Sequence, residues 1–307
     1  MENYEGNRFS VNPDKFGHVV ARYFAQEELA KEEKCLMLKN AGLQEIEITY
    51  LCMNFLHIPV IQIINLENNA IGDNAGCLLV TVLTKYATQL HTLILKSTQI
   101  QINTIEALYI LLDEKQSKAK NIKEISIAGN SLHQEELCKF LIVVSQAPKL
   151  KVLDLSELNL TEPCIKLITT IIKHDKKIED LDISRNVMNK NSQRILSSSL
   201  ARNKTIKRFR LCGINMGDKE LSDFVVGFAY NYGIKELYLN DNNISELEGI
   251  QAIIEQNRTV ELISIEGNPI KGINAFRSIK GEIEKLIRCE IWIGTQHGYC
   301  EYTKNYS

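Results

Sequence analysis

Nine copies of one apolar spacing run through this chain, and no other feature limits its possible folds as strongly. The spacing is L-x-x-L-x-L-x-x-N-x-L, with other apolar residues allowed for Leu. Two copies match it throughout: Ile178, Leu181, Ile183, Asn186 and Met188, then Ile234, Leu237, Leu239, Asn242 and Ile244. Three more begin at Ile61, Ile122 and Val260 and carry Asn69, Asn130 and Asn268 at the ninth position. Four weaker copies begin at Glu33, Leu90, Leu150 and Ile206, and their ninth position holds Ala41, Thr98, Leu158 and Ile214. Copies therefore start at 33, 61, 90, 122, 150, 178, 206, 234 and 260, separated by 28, 29, 32, 28, 28, 28, 28 and 26 residues.

Within each copy the apolar residues at positions 4 and 6 alternate with polar ones, which predicts a short strand with one buried face. Apolar residues at helical spacing follow, as in Ile165–Ile172 and Ile195–Leu200, so each copy predicts a strand plus a helix. One copy cannot bury its apolar side alone, whereas stacked copies share a continuous core. The Asn at position 9 offers two donors and an acceptor to backbone groups of a tight turn, a structural role. The four copies without it are expected to turn less regularly.

Over about residues 33–280 the chain resembles the leucine-rich-repeat family, and its period with a helical second half is similar to the ribonuclease-inhibitor-like subclass. The resemblance implies an α/β leucine-rich-repeat solenoid of about nine repeats. A curved parallel β-sheet would line the concave side and helices the convex side. The corresponding organisation is an N-terminal helical cap over 1–32, repeats over 33–280, and a C-terminal cap and tail over 281–307. In the cap regions, 14–32 and Ile279–Ile287 read as helices and Glu290–Ile293 as a last strand.

Charge and motifs exclude several functions. With 36 basic and 38 acidic residues the net charge is -2, so no overall attraction to nucleic acid or acidic membranes follows. No apolar run is long enough to cross a bilayer and the start of the chain lacks a secretory pattern, so a cytoplasmic protein with reduced, mostly buried cysteines is expected. The 8 Cys and 6 His lack metal-ligand spacing, and there is no phosphate loop or nucleophile elbow. No cofactor, metal or catalytic residue is expected.

The template puts positions 3, 5 and 7 of each strand on the concave surface. There Asp154, Asp180 and Asp182 form an acidic middle beside Arg208 and Arg210, followed by Glu236 and Tyr238. Asp182 and Arg210 are expected to be neighbours across adjacent strands. These seven residues are the candidate partner-binding site, since Arg and Tyr are enriched in interface hot spots. The alternative is an internal ladder of ion pairs. The resemblance implies a non-catalytic protein–protein interaction scaffold whose partners are other proteins in a multi-subunit complex. Such solenoids occur as structural subunits in the cytoskeleton and ciliary axoneme. A reversible regulator or adaptor is the alternative, such as a Ran GTPase-activating-like protein, for which Arg185 lies in a strand-following loop, or a ubiquitin-ligase substrate receptor.

Overall fold

The computed structural model describes residues 35–54, 60–174, 177–272 and 289–293. The N-terminal cap helix over 14–32, the helix expected at Ile279–Ile287 and the tail from 294 lie outside the described residues. The chain falls into two compact units, Met1–Leu158 and Asn159–Ser307.

In the first unit, strands β1 (Cys35–Met37), β2 (Ile63–Asn65), β3 (Thr92–Ile94), β4 (Glu124–Ser126) and β5 (Val152–Asp154) pair in parallel in chain order. Helices α1 (Glu45–Asn54), α2 (Gly72–Tyr86), α3 (Ile102–Leu112) and α4 (Gln134–Gln146) alternate with them. Each strand covers positions 3 to 5 of the template. The central residues Leu36, Ile64, Leu93, Ile125 and Leu153 align across the sheet and are buried. They meet the inner faces of the helices, such as Leu79 and Leu83 of α2 and Leu137 and Phe140 of α4, which are fully buried as well.

The second unit repeats the plan. Helix α5 (Glu162–His174) precedes β6 (Asp180–Asp182), and α6 (Lys190–Leu200), β7 (Arg208–Arg210), α7 (Asp218–Phe228), β8 (Glu236–Tyr238), α8 (Glu248–Gln256), β9 (Leu262–Ser264) and β10 (Glu290–Trp292) follow. The strands are again parallel and in sequence order, with Leu181, Phe209, Leu237, Ile263 and Ile291 aligned in the buried row. Helices α6 and α7 approach closely because Gly227 faces the backbone of Ser197. A Cβ there would stand 2.5 Å from the Ser197 carbonyl oxygen.

Each of β1 to β9 is followed by a left-handed residue at template position 8. Asn40, Asn68, Ser97, Gly129, Glu157, Arg185, Gly213, Asp241 and Gly267 all have φ between 51° and 70°. This includes the four copies lacking the asparagine, so position 8 is regular there too and the irregularity expected of these turns falls further along. Those four copies instead take a second left-handed residue at position 10: Gly42, Gln99, Asn159 and Asn215.

Neighbouring asparagines explain why the substitution is tolerated. Asn130 Nδ2 donates to Ile127 O in its own copy and to Leu95 O in the preceding one, while its Oδ1 accepts the Thr98 and Ile100 amides. Asn242 likewise accepts the Ile214 and Met216 amides and donates to Leu211 O. Asn69 accepts the Leu43 amide, and Asn186 the Leu160 amide. Each asparagine thus serves two turns, so one in every second copy suffices.

The second unit carries another asparagine ladder, three residues before the template starts at Ile206, Ile234 and Val260. Asn203, Asn231 and Asn257 are buried where a helix hands over to the next strand. Asn231 Nδ2 donates to Leu200 O and Asn203 O, both at 2.8 Å, and its Oδ1 accepts the Gly233 and Ile234 amides at 2.9 and 2.8 Å. In the first unit the same positions hold Ala87, Ala119 and Ala147. Of the seven described cysteines four are buried, and burial pushes the Cys52 thiol up to about 12.

Candidate functional site

Two rows of side chains cross the sheet of the second unit on the side away from the apolar row. Position 3 gives Asp180, Arg208, Glu236, Leu262 and Glu290; position 5 gives Asp182, Arg210, Tyr238, Ser264 and Trp292. Adjacent strands lie about 4.8 Å apart, so each side chain can reach its neighbours in the row and diagonally.

Arg208 is held between two carboxylates. Its Nη1 donates to Asp180 Oδ2 at 2.8 Å, while Nε and Nη2 grip Glu236 as a fork, with Nη2 to Oε1 at 2.9 Å. Arg210 Nη1 donates to the other oxygen of Asp180. Arg210 and Asp182 are register partners, as the template spacing predicts, but the guanidinium also reaches diagonally back to Asp180. Arg210 also lies over the Tyr238 ring, 5.4 Å from its centroid, and the Tyr238 hydroxyl donates to Glu236 Oε2 at 2.9 Å.

These contacts fix the protonation states. Hydrogen bonding by Glu236, against the cost of burial, holds the Arg208 guanidinium protonated with its pKa raised, and Asp180 adds to this. Burial alone would raise the pKa of Glu236, but the hydrogen bonds from Arg208 and Tyr238 outweigh it and the net shift is downward. The Tyr238 phenol is pushed up to about 12, first by burial and then by its bond to Glu236.

The acidic middle is therefore not an open acidic patch. Asp154, Asp180 and Asp182 are 4%, 4% and 8% exposed. Asp154 belongs to the first unit, where its carboxylate accepts the Ser126 hydroxyl at 2.7 Å and both the amide and hydroxyl of Ser156. Asp182 accepts the Ser184 amide at 2.9 Å in the same way. Both close the strand exit from position 5 to position 7, as Asn65 does for Glu67. The structure brings Asp180, Arg208, Arg210, Glu236 and Tyr238 into one network, with Asp182 beside it in the row.

The seven candidate residues leave out Trp292 and Ser264, which lie in the same row. The Tyr238 and Trp292 rings meet edge to face with centroids 6.4 Å apart, although they stand two strands apart. Ser264, wholly buried between them in the row, is small enough to let the rings close over it. Trp292 Nε1 donates to Glu290 Oε1 at 2.6 Å, and the residue is 39% exposed. Its signal was present in the sequence, as the chain's single Trp at position 5 of a tenth strand.

Among the described residues no group of three or more His, Cys, Asp or Glu side chains is placed to hold a metal ion. No described helix is long and apolar enough to cross a membrane.

No protein-family model matches the chain. It is 25% identical over 246 residues to the ribonuclease inhibitor of Sus scrofa, an alignment covering 77% of this chain and 52% of the relative, so the chain spans about half the length of that protein. Among solved structures it is similar to the actin-binding site 2 region of leiomodin-1, with 12% identity, a TM-score of 0.44 and coverage of 60% of this chain and 96% of that one. It is also similar to a chain of the yeast Rad7–Elc1 complex, with 14% identity, a TM-score of 0.47 and coverage of 78% and 71%. The repeated template, the strand–helix alternation and the similarity to ribonuclease inhibitor make this chain a leucine-rich-repeat protein of the ribonuclease-inhibitor-like kind, an α/β solenoid.

Proposed function

We propose that the chain is a non-catalytic scaffold that holds another protein against the open strand face of its second unit. The observation that supports this most is the row of Arg210 on β7, Tyr238 on β8 and Trp292 on β10, each in contact with the next. Arg, Tyr and Trp carry most of the energy at protein interfaces. Here each is already fixed by an ion pair or a ring contact, so binding would sacrifice little rotamer freedom. Similarity to a protein named for inhibiting a ribonuclease agrees with a binding role. The finer reading is a structural subunit of a multi-protein assembly in the cytoplasm, with the cytoskeleton and ciliary axoneme as its setting.

The test is recovery of partners with tagged wild-type chain and with a Tyr238→Ala/Trp292→Ala variant, identified by mass spectrometry. The recovered partner is then titrated into each protein and the affinity is read by isothermal titration calorimetry. One fixed, salt-resistant set of proteins is expected, with binding weakened by about thirty-fold in the variant, corresponding to about 2 kcal/mol for a hot spot. Undiminished binding by the variant would refute the assignment of the face. Recovery of a small GTPase in a nucleotide-dependent way, sensitive to Arg185→Ala, would favour the regulator.

A further inference from the structure

We infer that one edge of the first unit, formed by the turns leading into β4 and β5, is a docking surface for an acidic segment of a partner protein. It is separate from the strand face of the second unit and does not depend on that assignment. The chain as a whole is slightly acidic, yet Lys115, Lys118, Lys120, Lys123, Lys149 and Lys151 gather here against Asp113 and Glu114. All six are exposed.

Backbone hydrogen bonds put them on one edge. The Lys123 amide donates to His91 O and the Lys151 amide to Lys123 O, both at 2.8 Å, so Lys123 and Lys151 occupy the same position on adjacent rungs, about 4.8 Å apart. The Lys118 amide donates to Thr84 O at 2.8 Å, which folds the preceding loop against the same edge. Lys149 Nζ meets only a neutral group in the bond that positions it, Asn121 Oδ1 at 3.0 Å.

Two comparisons within the molecule separate this edge from an ordinary solvated surface. Several lysines elsewhere meet carboxylates, as in Lys39 with Glu67, Lys166 with Glu162 and Lys235 with Glu261. Among the described residues, Lys118, Lys120, Lys123 and Lys149 form no ion pair. At the same template position the second unit carries Glu179, Lys207, Lys235 and Glu261 on successive rungs, two lysines flanked on either side by a carboxylate. The fold therefore does not require like charges there, and stacking them is unfavourable.

The lysines are also presented by a built loop. The copy that starts at Leu90 is 32 residues long, four more than most, and its extra length falls between α3 and β4. Asp113 organises that loop by accepting the Lys115 amide at 2.9 Å and the Gln116 side chain at 2.6 Å, and Ser117 Oγ accepts the Ala119 amide at 3.0 Å. Ser117 and Ala119 are buried and hold Lys118 and Lys120 outward. The charged groups are all ammonium ions, with no guanidinium fork for phosphate among them. Compact positive points on rungs about 4.8 Å apart suit the carboxylates of an extended segment of roughly five residues.

The experiment uses the full chain and a fluorescein-labelled hexaglutamate peptide, read by fluorescence anisotropy at low salt. Three proteins are compared: wild type, Lys118→Glu/Lys120→Glu/Lys123→Glu, and a control Lys207→Glu/Lys235→Glu. Circular dichroism checks folding, and the triple Lys→Gln variant replaces the charge reversal if that one fails to fold. The triple variant is expected to bind at least tenfold more weakly, and the control less than twofold. Equal losses in both variants, or none in either, would overturn the inference. So would a single-stranded RNA or a phosphatidylserine vesicle that binds the same lysines more tightly than the peptide.

Discussion

Replacing Asn231 by alanine removes four hydrogen bonds at once from the turn between α7 and β8. Two carbonyls, Leu200 and Asn203, lose a donor, and two amides, Gly233 and Ile234, lose an acceptor. The site is fully buried, so water does not replace the side chain without opening the turn. At about 1 kcal/mol for each bond, the loss comes to about 4 kcal/mol. With a urea m-value of about 3 kcal/mol per molar, the unfolding midpoint falls by about 1.3 M. Urea titration followed by Trp292 fluorescence reads this directly, since the single Trp lies in the same unit. An exposed asparagine, Asn191, supplies the control: its Asn191→Ala variant is expected within about 0.5 kcal/mol of wild type. The first unit contains the means of refutation. It places Ala87 and Ala147 at the equivalent position, where Ala87 O accepts the Leu90 amide directly. If Asn231→Ala costs less than about 1 kcal/mol, the turn has relaxed to the alanine form and the ladder is dispensable.

Two further outcomes follow from the packing and charge. Gly227→Ala places a methyl group 2.5 Å from the Ser197 carbonyl oxygen and 2.8 Å from its carbon, so α6 and α7 must part; a loss of about 1–3 kcal/mol is expected by thermal unfolding, and an unchanged Tm would contradict this close approach. Acid should destabilise the fold from about pH 4.5 downward. In Asp73, Asp218 and Glu236 burial opposes ionisation, but hydrogen bonds outweigh it and lower each pKa below its ordinary value of 3.8 or 4.5. The unfolded chain then binds more protons, so their contribution is complete above those values and is lost as pH falls through the lower folded ones. Melting temperatures measured from pH 6 to 3 should be level and then fall, and a level profile throughout would refute it.

Much of the fold is legible in the sequence because repetition multiplies a weak signal. No three-residue strand could be assigned alone, yet Asp180–Asp182, Arg208–Arg210 and Glu236–Tyr238 all fall on template positions 3 to 5. The alternation of turns was harder to read. Its mark is a left-handed backbone at Gly42, Gln99, Asn159 and Asn215, and only the glycine among these is a strong single-residue signal. Its cause lies one copy away, in the asparagine that caps its neighbour's turn. Asn203, Asn231 and Asn257 escaped because their period falls at helix ends, outside the apolar template. For the candidate site, the template gave the rows but not the diagonal. Nothing in the spacing distinguishes Arg210 facing Asp182 from Arg210 also reaching Asp180.

The same logic explains where a binding face can arise on such a chain. Position 4 of each strand must be apolar and position 8 must accept a left-handed backbone, but positions 3 and 5 carry no such demand. In the first unit, position 5 partly serves the turn itself, through Asn65 and Asp154. In the second unit, the added asparagine ladder secures the entry to β7, β8 and β9. Arg210 and Tyr238 then rest on rungs whose entries the ladder holds, and Trp292 follows in the same row on β10. A side chain with no structural task on a rigid rung is pre-organised for recognition. Binding at this face should therefore depend on Asn231 only through the position of β8: Asn231→Ala protein that remains folded should bind a partner more weakly, while Asn191→Ala should bind as wild type.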